Sequence, residues 1–410
     1  MTVMKPKILF ISIFPPYPLT SGDNIRVYNL LAALSRFSEV FLISFCRDPS
    51  YPADEAKKHL ESFCQSVWFI RNNIFKNPIL NNIISIPHIK AISELWFGIS
   101  NLWFCHPEVS AIIKQLIQDS NINVAWFEKT FTTHYIKNIL GKDIKTIMGT
   151  QNFESDVTYQ KFKFDRSPIW KIIWLYKWIN ELIYERKYTR LVNKIAVVSE
   201  NDARFYRRLA DSSRIEIVPN CIDVKDYAGG KAEKEDAICF TGSMSYFPNI
   251  DAIVYFVEEI WQKIKKKYNN VKLYVVGKNP PENIKRLNSD DIIITGLVES
   301  TVPFLKKSKL SIVPLRYGSG TRLKILESMA CGTPVVSTSL GCEGLDVTNG
   351  ENIIIADTPE DFAQAVIQLL EYPELRQRIG EIGENFVEKT YSLEANTAKL
   401  ERLINDLITN

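Results

Sequence analysis

The sequence predicts an α/β protein built from two doubly wound halves. Three observations carry that prediction. Short buried runs rich in Val, Ile and Leu alternate with longer amphipathic segments, as in parallel sheets with helical crossovers. The alternation occurs twice, on either side of a hinge at Pro219-Asn220 and a polar linker that runs from Gly229-Gly230 through Lys231 to Asp236. Residues 311–338, SIVPLRYGSGTRLKILESMACGTPVVST, read as strand, glycine loop, helix, glycine stop and strand in one passage. A chain of 410 residues is long enough for two cores. No period of about 20–50 residues repeats, so the halves are alike in architecture alone.

In the first half, Lys7–Phe14 reads as a buried strand ended by Pro15-Pro16. Ser21-Gly22-Asp23-Asn24 leads into a helix carrying Val27, Leu30, Leu31 and Leu34, and Glu39–Phe45 is the next strand. This βαβ opening places the loop after the first strand at the carboxyl edge of the sheet, where doubly wound folds bind ligands. Residues 75–105 are unusually apolar. Residues 168–190 predict a long helix in which Trp170, Trp174 and Trp178 recur every four residues among lysines and arginines. That helix is either packed on the sheet, or an interfacial helix or wall for a lipid acceptor, because tryptophan with lysine is the composition of a lipid headgroup boundary. Lys194–Ser199 and Arg214–Pro219 close the half as strands, with a helix at Asn201–Leu209.

In the second half the strands fall at Ala237–Thr241, Lys272–Val276, Ile292–Thr295, Leu310–Leu315 and Pro334–Ser337, with a helix over Asp251–Tyr268. The tail predicts two helices, Pro359–Leu370 and Leu393–Ile408. Within the passage first quoted, the loop Tyr317–Thr321 opens a helix from about Arg322 to Ala330. Gly332 suits a left-handed stop, and Pro334 cannot continue the helix. Amides at a helix N-terminus bind anions. Arg322 and Lys324 add positive charge there. Glu327, one turn on, can accept hydrogen bonds from two adjacent hydroxyls. Phosphate-seeking donors beside a diol-seeking acceptor describe a site for a nucleotide bearing a sugar. The competing reading is a plain strand–helix turn, with Lys324 and Glu327 paired on a solvated face.

Composition narrows the function. Apolar residues make up 46% and charged residues 24%, as in ordinary soluble domains. Seven cysteines, with no CxxC pair, predict reduced thiols in a cytoplasmic protein. No apolar run is long enough to cross a bilayer, and the N-terminal run ends too soon for a signal sequence. No Asp-x-Asp and no Cys/His cluster with metal-ligand spacing occurs, so no metal and no cofactor are expected. Nucleic-acid binding is not indicated. Residues 1–219 hold 28 Lys and Arg against 20 Asp and Glu, or +8, while the overall charge is +3, which leaves −5 for residues 220–410. Either this is chance scatter, or the first half faces something anionic such as a phospholipid surface (the inner membrane leaflet) or a lipid pyrophosphate.

Four stretches in order resemble one family: KIAVVSENDARFYRRL (194–209) with RIEIVPNCIDVKDY (214–227), FTGSMSYFPNIDAIVYFVEEIWQKI (240–264), VKLYVVGKNP (271–280) with IIITGLVES (292–300), and residues 311–338. They are similar to the retaining glycosyltransferases of family 4 (glycosyl transferases group 1), which have the GT-B fold. FPPYPLTSGDNIRVYNLL (14–31) further resembles a subgroup associated with bacterial exopolysaccharide clusters. The resemblance implies two Rossmann-like domains facing a cleft: residues 1–219 for the acceptor, joined by a returning helix over 391–410, and residues 220–390 for the donor. It implies a metal-independent hexosyltransferase that moves a sugar, with retention, from a nucleotide-diphosphate sugar to a glycan, lipid-linked or small-molecule acceptor in polysaccharide or glycoconjugate biosynthesis. A nucleotide-sugar epimerase and a non-catalytic scaffold of the same fold are the alternatives.

The resemblance also assigns residues. Glu327 matches the glutamate on the donor ribose. Gly318, Ser319 and Gly320, followed by Thr321, match the loop near sugar and phosphates. Gly296, Leu297 and Val298 match the segment that meets the base, and Gly22 the first-domain loop near the pyrophosphate. The departures are informative. The family's first glutamate would fall at Ser319, its phosphate-binding arginine and lysine at Ser243 and Asn249, and its acceptor-side histidine at Gln151. Arg322 and Lys324 are the expected replacements for the missing cations. On the acceptor side, Asp23 either contacts the acceptor or N-caps its helix. Arg26 either reaches phosphate or lies on a solvated face. Glu154 either touches the acceptor or caps the helix after it. His134 is a further acceptor-side candidate.

Overall fold

The structure is a computed structural model describing residues 5–19, 22–46, 48, 50–71, 106–165, 167–230, 232–318 and 320–409. The apolar stretch 75–105 lies outside the described residues. The chain divides into two units, residues 1–219 with 397–410, and residues 220–396.

The first unit holds β1 (Lys7–Ser12), α1 (Gly22–Ser35), β2 (Glu39–Cys46), α2 (Ala53–Leu60) and β3 (Ser66–Arg71). It continues through α3 (Pro107–Ser120), β4 (Val124–Glu128), a 3-10 segment (Thr130–Asn138), β5 (Lys145–Gly149), α4 (Glu154–Phe164) and α5 (Pro168–Thr189). It closes with β6 (Lys194–Val197), α6 (Glu200–Tyr206) and β7 (Ile215–Ile217). The strands form one parallel sheet in the order β3-β2-β1-β4-β5-β6-β7. Near-continuous apolar strands such as KILFIS and VAWFE are what a sheet covered on both faces requires. β1 stops at Ser12, two residues short of Phe14. The Ser12 hydroxyl turns the chain there, donating to the Phe14 carbonyl at 2.9 Å and accepting from the Phe14 amide at 3.2 Å.

The second unit holds β8 (Glu235–Thr241), α7 (Phe247–Tyr255), a π turn (Phe256–Trp261), α8 (Gln262–Lys265), β9 (Lys272–Val276), α9 (Glu282–Lys285) and β10 (Ile292–Gly296). Then come α10 (Val302–Lys307), β11 (Ser308–Val313), α11 (Leu323–Ala330), β12 (Val335–Ser337), β13 (Ile354–Ile355), α12 (Pro359–Glu371), α13 (Pro373–Thr390) and α14 (Leu393–Thr409), the last with residues 393–396 alone in this unit. Its sheet is parallel throughout, in the order β10-β9-β8-β11-β12-β13. The core packs Phe240, Phe256, Ile325, Leu326, Val336 and Phe362 between sheet and helices.

The helix expected over Asp251–Tyr268 starts four residues earlier, with Pro248 in its first turn, and contains the π turn. The tail has three helices rather than two, the addition being α13. The boundary falls after residue 396 rather than 390. Ile222 explains this: its amide donates to the Tyr391 carbonyl at 3.0 Å and its carbonyl accepts from the Leu393 amide at 2.9 Å, tying 391–393 to the second unit. Among the described residues no helix is long and apolar enough to cross a membrane.

Each sheet reverses its strand order once, between β1 and β4 and between β8 and β11. Ligands of doubly wound sheets bind at such a reversal, outside the carboxyl ends of the strands. The loops after β8 and β11, with the first turn of the helix after β8, carry Ser243, Asn249 and the glycine loop. The first turn of the helix after β1 carries Gly22 and Asp23, and the loop after β4 carries Lys129.

Candidate active site

The second-unit site is built by α11 and the loop before it. Gly318 and Gly320 take φ of +110° and +83°, which lets the loop turn sharply from β11 into the helix. Arg322 is the N-cap residue, with extended backbone, and α11 begins at Leu323. The helix ends in a Schellman motif. Gly332, at φ +64°, donates to Met329, and Thr333 donates to Ser328. Ser319 lies outside the described residues.

Lys324 and Glu327, one turn apart, take separate partners. The Lys324 ammonium donates to Asn249 Oδ1 at 2.8 Å and sits 4.1 Å from the Phe240 ring centroid. Asn249 is buried, and its own amide donates to the Ser243 carbonyl at 2.8 Å. A Cβ at Gly242 would fall 2.7 Å from the Lys324 ammonium, so a bare backbone there makes room for the cation. Ser243, Asn249 and Lys324 therefore meet at one point, at the reversal between β8 and β11. Burial, and next the charge of Arg322, push Lys324 down to about 7. Arg322 donates to the Gly320 carbonyl at 2.5 Å, and its Nη2 lies 3.1 Å from where a Cβ on Gly318 would stand. Burial lowers its pKa as well.

Glu327 accepts a hydrogen bond from the Tyr227 hydroxyl at 3.3 Å. Burial raises its pKa, opposed by Tyr227 and Lys324. Thr321 accepts from the Asn220 side chain. Gly296, at φ +71°, ends β10 two strands from β8, and Leu297 is 79% exposed. Val298 packs on a small cluster with Cys239 and Tyr274. Lys324 is thus a cation held in a low-polarity pocket beside a helix N-terminus, with a carboxylate one turn further on. Such a set has the chemistry to bind an anion and a pair of hydroxyls.

The first unit gathers a different set. Gly22 and Asp23 open α1, so Asp23 is in the first turn and not the cap. Its carboxylate lies 3.8 Å from the ammonium of Lys129, which also pairs with Glu154 at 3.1 Å. Lys129 follows β4 directly, with φ of +69°. Burial raises the Asp23 pKa against the pull of Lys129. Burial works to lower Lys129, but Glu154 and Asp23 outweigh it and hold the pKa above its ordinary value. Glu154 does not cap α4. The cap comes from α5, where Glu185 accepts from the Glu154 amide at 2.9 Å and the Ser155 hydroxyl at 2.6 Å.

Three further acceptor-side candidates are buried, and Arg26 departs from both of its expected placements. Arg26 is neither solvated nor at an open phosphate position. It is buried, 3.1 Å from Glu128 Oε1 and 3.1 Å from the Val218 carbonyl. Gln151 is buried too and donates to the same Glu128 oxygen at 3.3 Å, while Trp126 donates to the other at 2.9 Å. Glu128 is fully buried, and a buried carboxylate needs several donors. His134 is buried, bonded through Nδ1 to the Phe131 carbonyl at 2.8 Å, and burial pushes it down to about 4. It stays neutral near pH 7. Sequence reasoning did not find Lys129, Glu128, Glu185 or Tyr227. The apolar run VAWF before Glu128-Lys129 is compatible with a strand ending there, but equally with a buried helix.

Comparison with known proteins bears on this geometry. Residues 235–372, which carry the whole cation–glutamate set, match the family described as Glycosyl transferases group 1. Sucrose-phosphate synthase from Thermosynechococcus elongatus superposes with a TM-score of 0.69 at 16% identity, covering 99% of this chain and 100% of that one. The fold is GT-B. HepE of Anabaena, solved in complex with UDP, shares this GT-B architecture with a TM-score of 0.67 at 11% identity, over 98% of this chain and all of that one. In sequence, the GT-B chain is 21% identical over 375 residues to an uncharacterized 44.6 kDa protein in the cps region of Klebsiella pneumoniae, covering 88% of this chain and 90% of that protein. Among the described residues, no group of three His, Cys, Asp or Glu side chains could hold a metal ion.

Proposed function

We propose that this chain is a retaining glycosyltransferase of family 4 that moves a hexose from a nucleotide-diphosphate donor to a glycan, lipid-linked or small-molecule acceptor. The observation that carries the reading is the convergence of Lys324, Asn249 and Ser243 at the sheet reversal, with Glu327 one turn along α11. The diphosphate would lie at the loop Gly318–Thr321. Arg322 and Lys324 would stabilise the charge that builds on it as the sugar leaves, an electrostatic contribution that is usually large. They supply the positive charge that a divalent metal gives in other transferases, so the reaction would need none. Glu327 would hold the ribose diol. Retention fits a front-face path in which the leaving phosphate oxygen takes the acceptor proton, because Gln151 is not a base. UDP in the Anabaena neighbour makes a uridine donor the first to try. The cps-region relative suggests a role in polysaccharide biosynthesis. The proposed location is cytoplasmic, peripheral to the inner leaflet.

The test is product formation, followed by mass spectrometry, with UDP-, GDP- and ADP-hexoses and both glycan and lipid-phosphate acceptors. A transferred sugar is the expected result. A donor epimer formed without acceptor would indicate an epimerase, and no turnover with any donor would indicate a scaffold. Arg322→Ala should weaken donor binding about tenfold or more, since a charge-assisted contact is worth about 1.5–3 kcal/mol. Unchanged affinity would remove Arg322 from the site. Glu327→Gln should lower kcat/KM by a similar factor.

A further inference from the structure

α5 is amphipathic in the reverse sense. Its inward side buries Glu181 and Glu185, together with Ile173, Tyr188 and Thr189. Its outward side exposes Ile169 (69%), Ile172 (67%), Tyr176 (44%), Ile179 (45%) and Ile183 (60%). These five are spaced three, four, three and four residues apart, so they form one straight stripe, about 21 Å long at 1.5 Å per residue. Ordinary surface helices do the opposite, and an exposed apolar stripe of this length marks a contact surface.

The charges beside the stripe select the occupant. Arg186, Lys187 and Arg190, at the C-terminal end of the helix, are exposed. Lys161 and Lys163 of the neighbouring α4 are exposed as well. The carboxylates of α5 point inward, where Glu185 caps α4. Burial pushes Glu181 up to about 7 and Glu185 up to about 8, so neither adds full negative charge near neutrality. A second copy of the chain would bring these cations against one another. An anionic surface with an apolar interior meets both features.

We infer that the outward face of α5 docks on an anionic lipid bilayer, with the isoleucine stripe at the acyl boundary and the cations at the headgroups. The depth suits such a helix, which buries its apolar side about 5–10 Å into the boundary. The basic flank adds attraction that salt weakens. This gives the peripheral location proposed above a place on the molecule, and it is independent of the donor-site reading, because vesicle binding and nucleotide binding are measured separately.

The experiment is co-sedimentation of the full chain with vesicles of phosphatidylcholine, alone or mixed with phosphatidylglycerol, at low and high salt. The native chain should sediment with the anionic vesicles, more weakly at high salt. The double variant Ile172→Asn with Ile179→Asn should bind at least about tenfold more weakly, with an unchanged circular dichroism spectrum. Arg186→Gln with Lys187→Gln should lose the preference for anionic vesicles. Equal binding by the native and Asn variants overturns the inference, as does equal binding to neutral and anionic vesicles. A concentration-dependent dimer lost in the Asn variant would assign the face to a second copy instead. A Tm lowered by several degrees in that variant would mean that the face is covered within the chain, and either result refutes bilayer docking. A UDP titration of the same variants keeps the two proposals apart: donor affinity should not change.

Discussion

Lys324 is the side chain whose chemistry depends most on its surroundings. Its ammonium is held against Asn249 and the Phe240 ring, and burial with the Arg322 charge pushes it down to about 7. Near neutrality the free protein therefore carries it partly deprotonated. A diphosphate favours the charged form, so donor binding at the proposed site should take up protons. The sign follows: affinity should be highest below pH 7 and fall as pH rises from about 7 to 9. Isothermal titration with UDP across that range should show the fall. Lys324→Met should bind more weakly at pH 6 and show a flatter profile. A native profile flat from pH 6 to 9 would mean that Lys324 does not meet the phosphates.

Residue chemistry was partly legible from sequence. Glu327, Lys324 and the glycines stand in one short passage, where loop, helix start and helix stop each have a local signature. Glu128 and Lys129 lie in a fully buried run, VAWFE, followed by KT. Such a run reads alike as strand or buried helix, so nothing in it announced that Lys129 would pair with Asp23 and Glu154. The burial of Arg26 was equally hidden, because its partners Glu128 and Val218 are brought to it by the sheet.

At the scale of elements, α4 and α5 depend on a buried carboxylate. Glu185 accepts two hydrogen bonds at the start of α4, yet burial pushes it from an ordinary value of 4.5 up to about 8. A carboxyl with a raised folded-state pKa contributes stability that is complete below the unfolded value and lost as pH rises through the folded one. Native stability should therefore decline between pH 4.5 and about 8 from this group. In Glu185→Gln, which cannot ionise but keeps an accepting oxygen, thermal melts across that window should show a smaller decline. Identical slopes in the two proteins would mean that Glu185 stays ionised when folded.

α13 shows why an element can escape sequence reading. Gly380 and Gly383 lower its helix propensity, each by about 1 kcal/mol relative to alanine. Packing requires them: a Cβ at Gly380 would stand 2.4 Å from the Gly332 carbonyl, and one at Gly383 would stand 3.2 Å from Met329 Cγ. The glycines admit α13 against α11, the helix that carries Lys324 and Glu327. Gly380→Ala should thus destabilise by about 1–3 kcal/mol despite its better propensity. Gly383→Ala should cost less, because its tightest neighbours, Met329 Cγ at 3.2 Å and the Asn352 carbonyl at 3.3 Å, need to yield by only a few tenths of an ångström. Melting temperatures of the two variants test the order.

At the scale of the whole molecule, the doubly wound architecture was legible because βα alternation survives in single elements, even though β3, β4 and β5 of the first unit were not read. Each unit has its own core. One cluster runs from Leu9 to Tyr206 and the other from Ile222 to Tyr391. A ligand that binds native protein alone stabilises what it binds, by about 2.7 kcal/mol at 100 times its Kd. The proposed donor residues are in the second unit, so a nucleotide bound there should stabilise that unit first. The tryptophans separate the two signals, since seven of the eight lie in residues 1–219, with Trp261 the exception. Saturating UDP should raise the unfolding transition seen by far-ultraviolet circular dichroism more than the one seen by tryptophan fluorescence. If both move equally, the units unfold as one cooperative body. If the fluorescence transition alone moves, the nucleotide binds the first unit, and the donor site has been assigned to the wrong sheet.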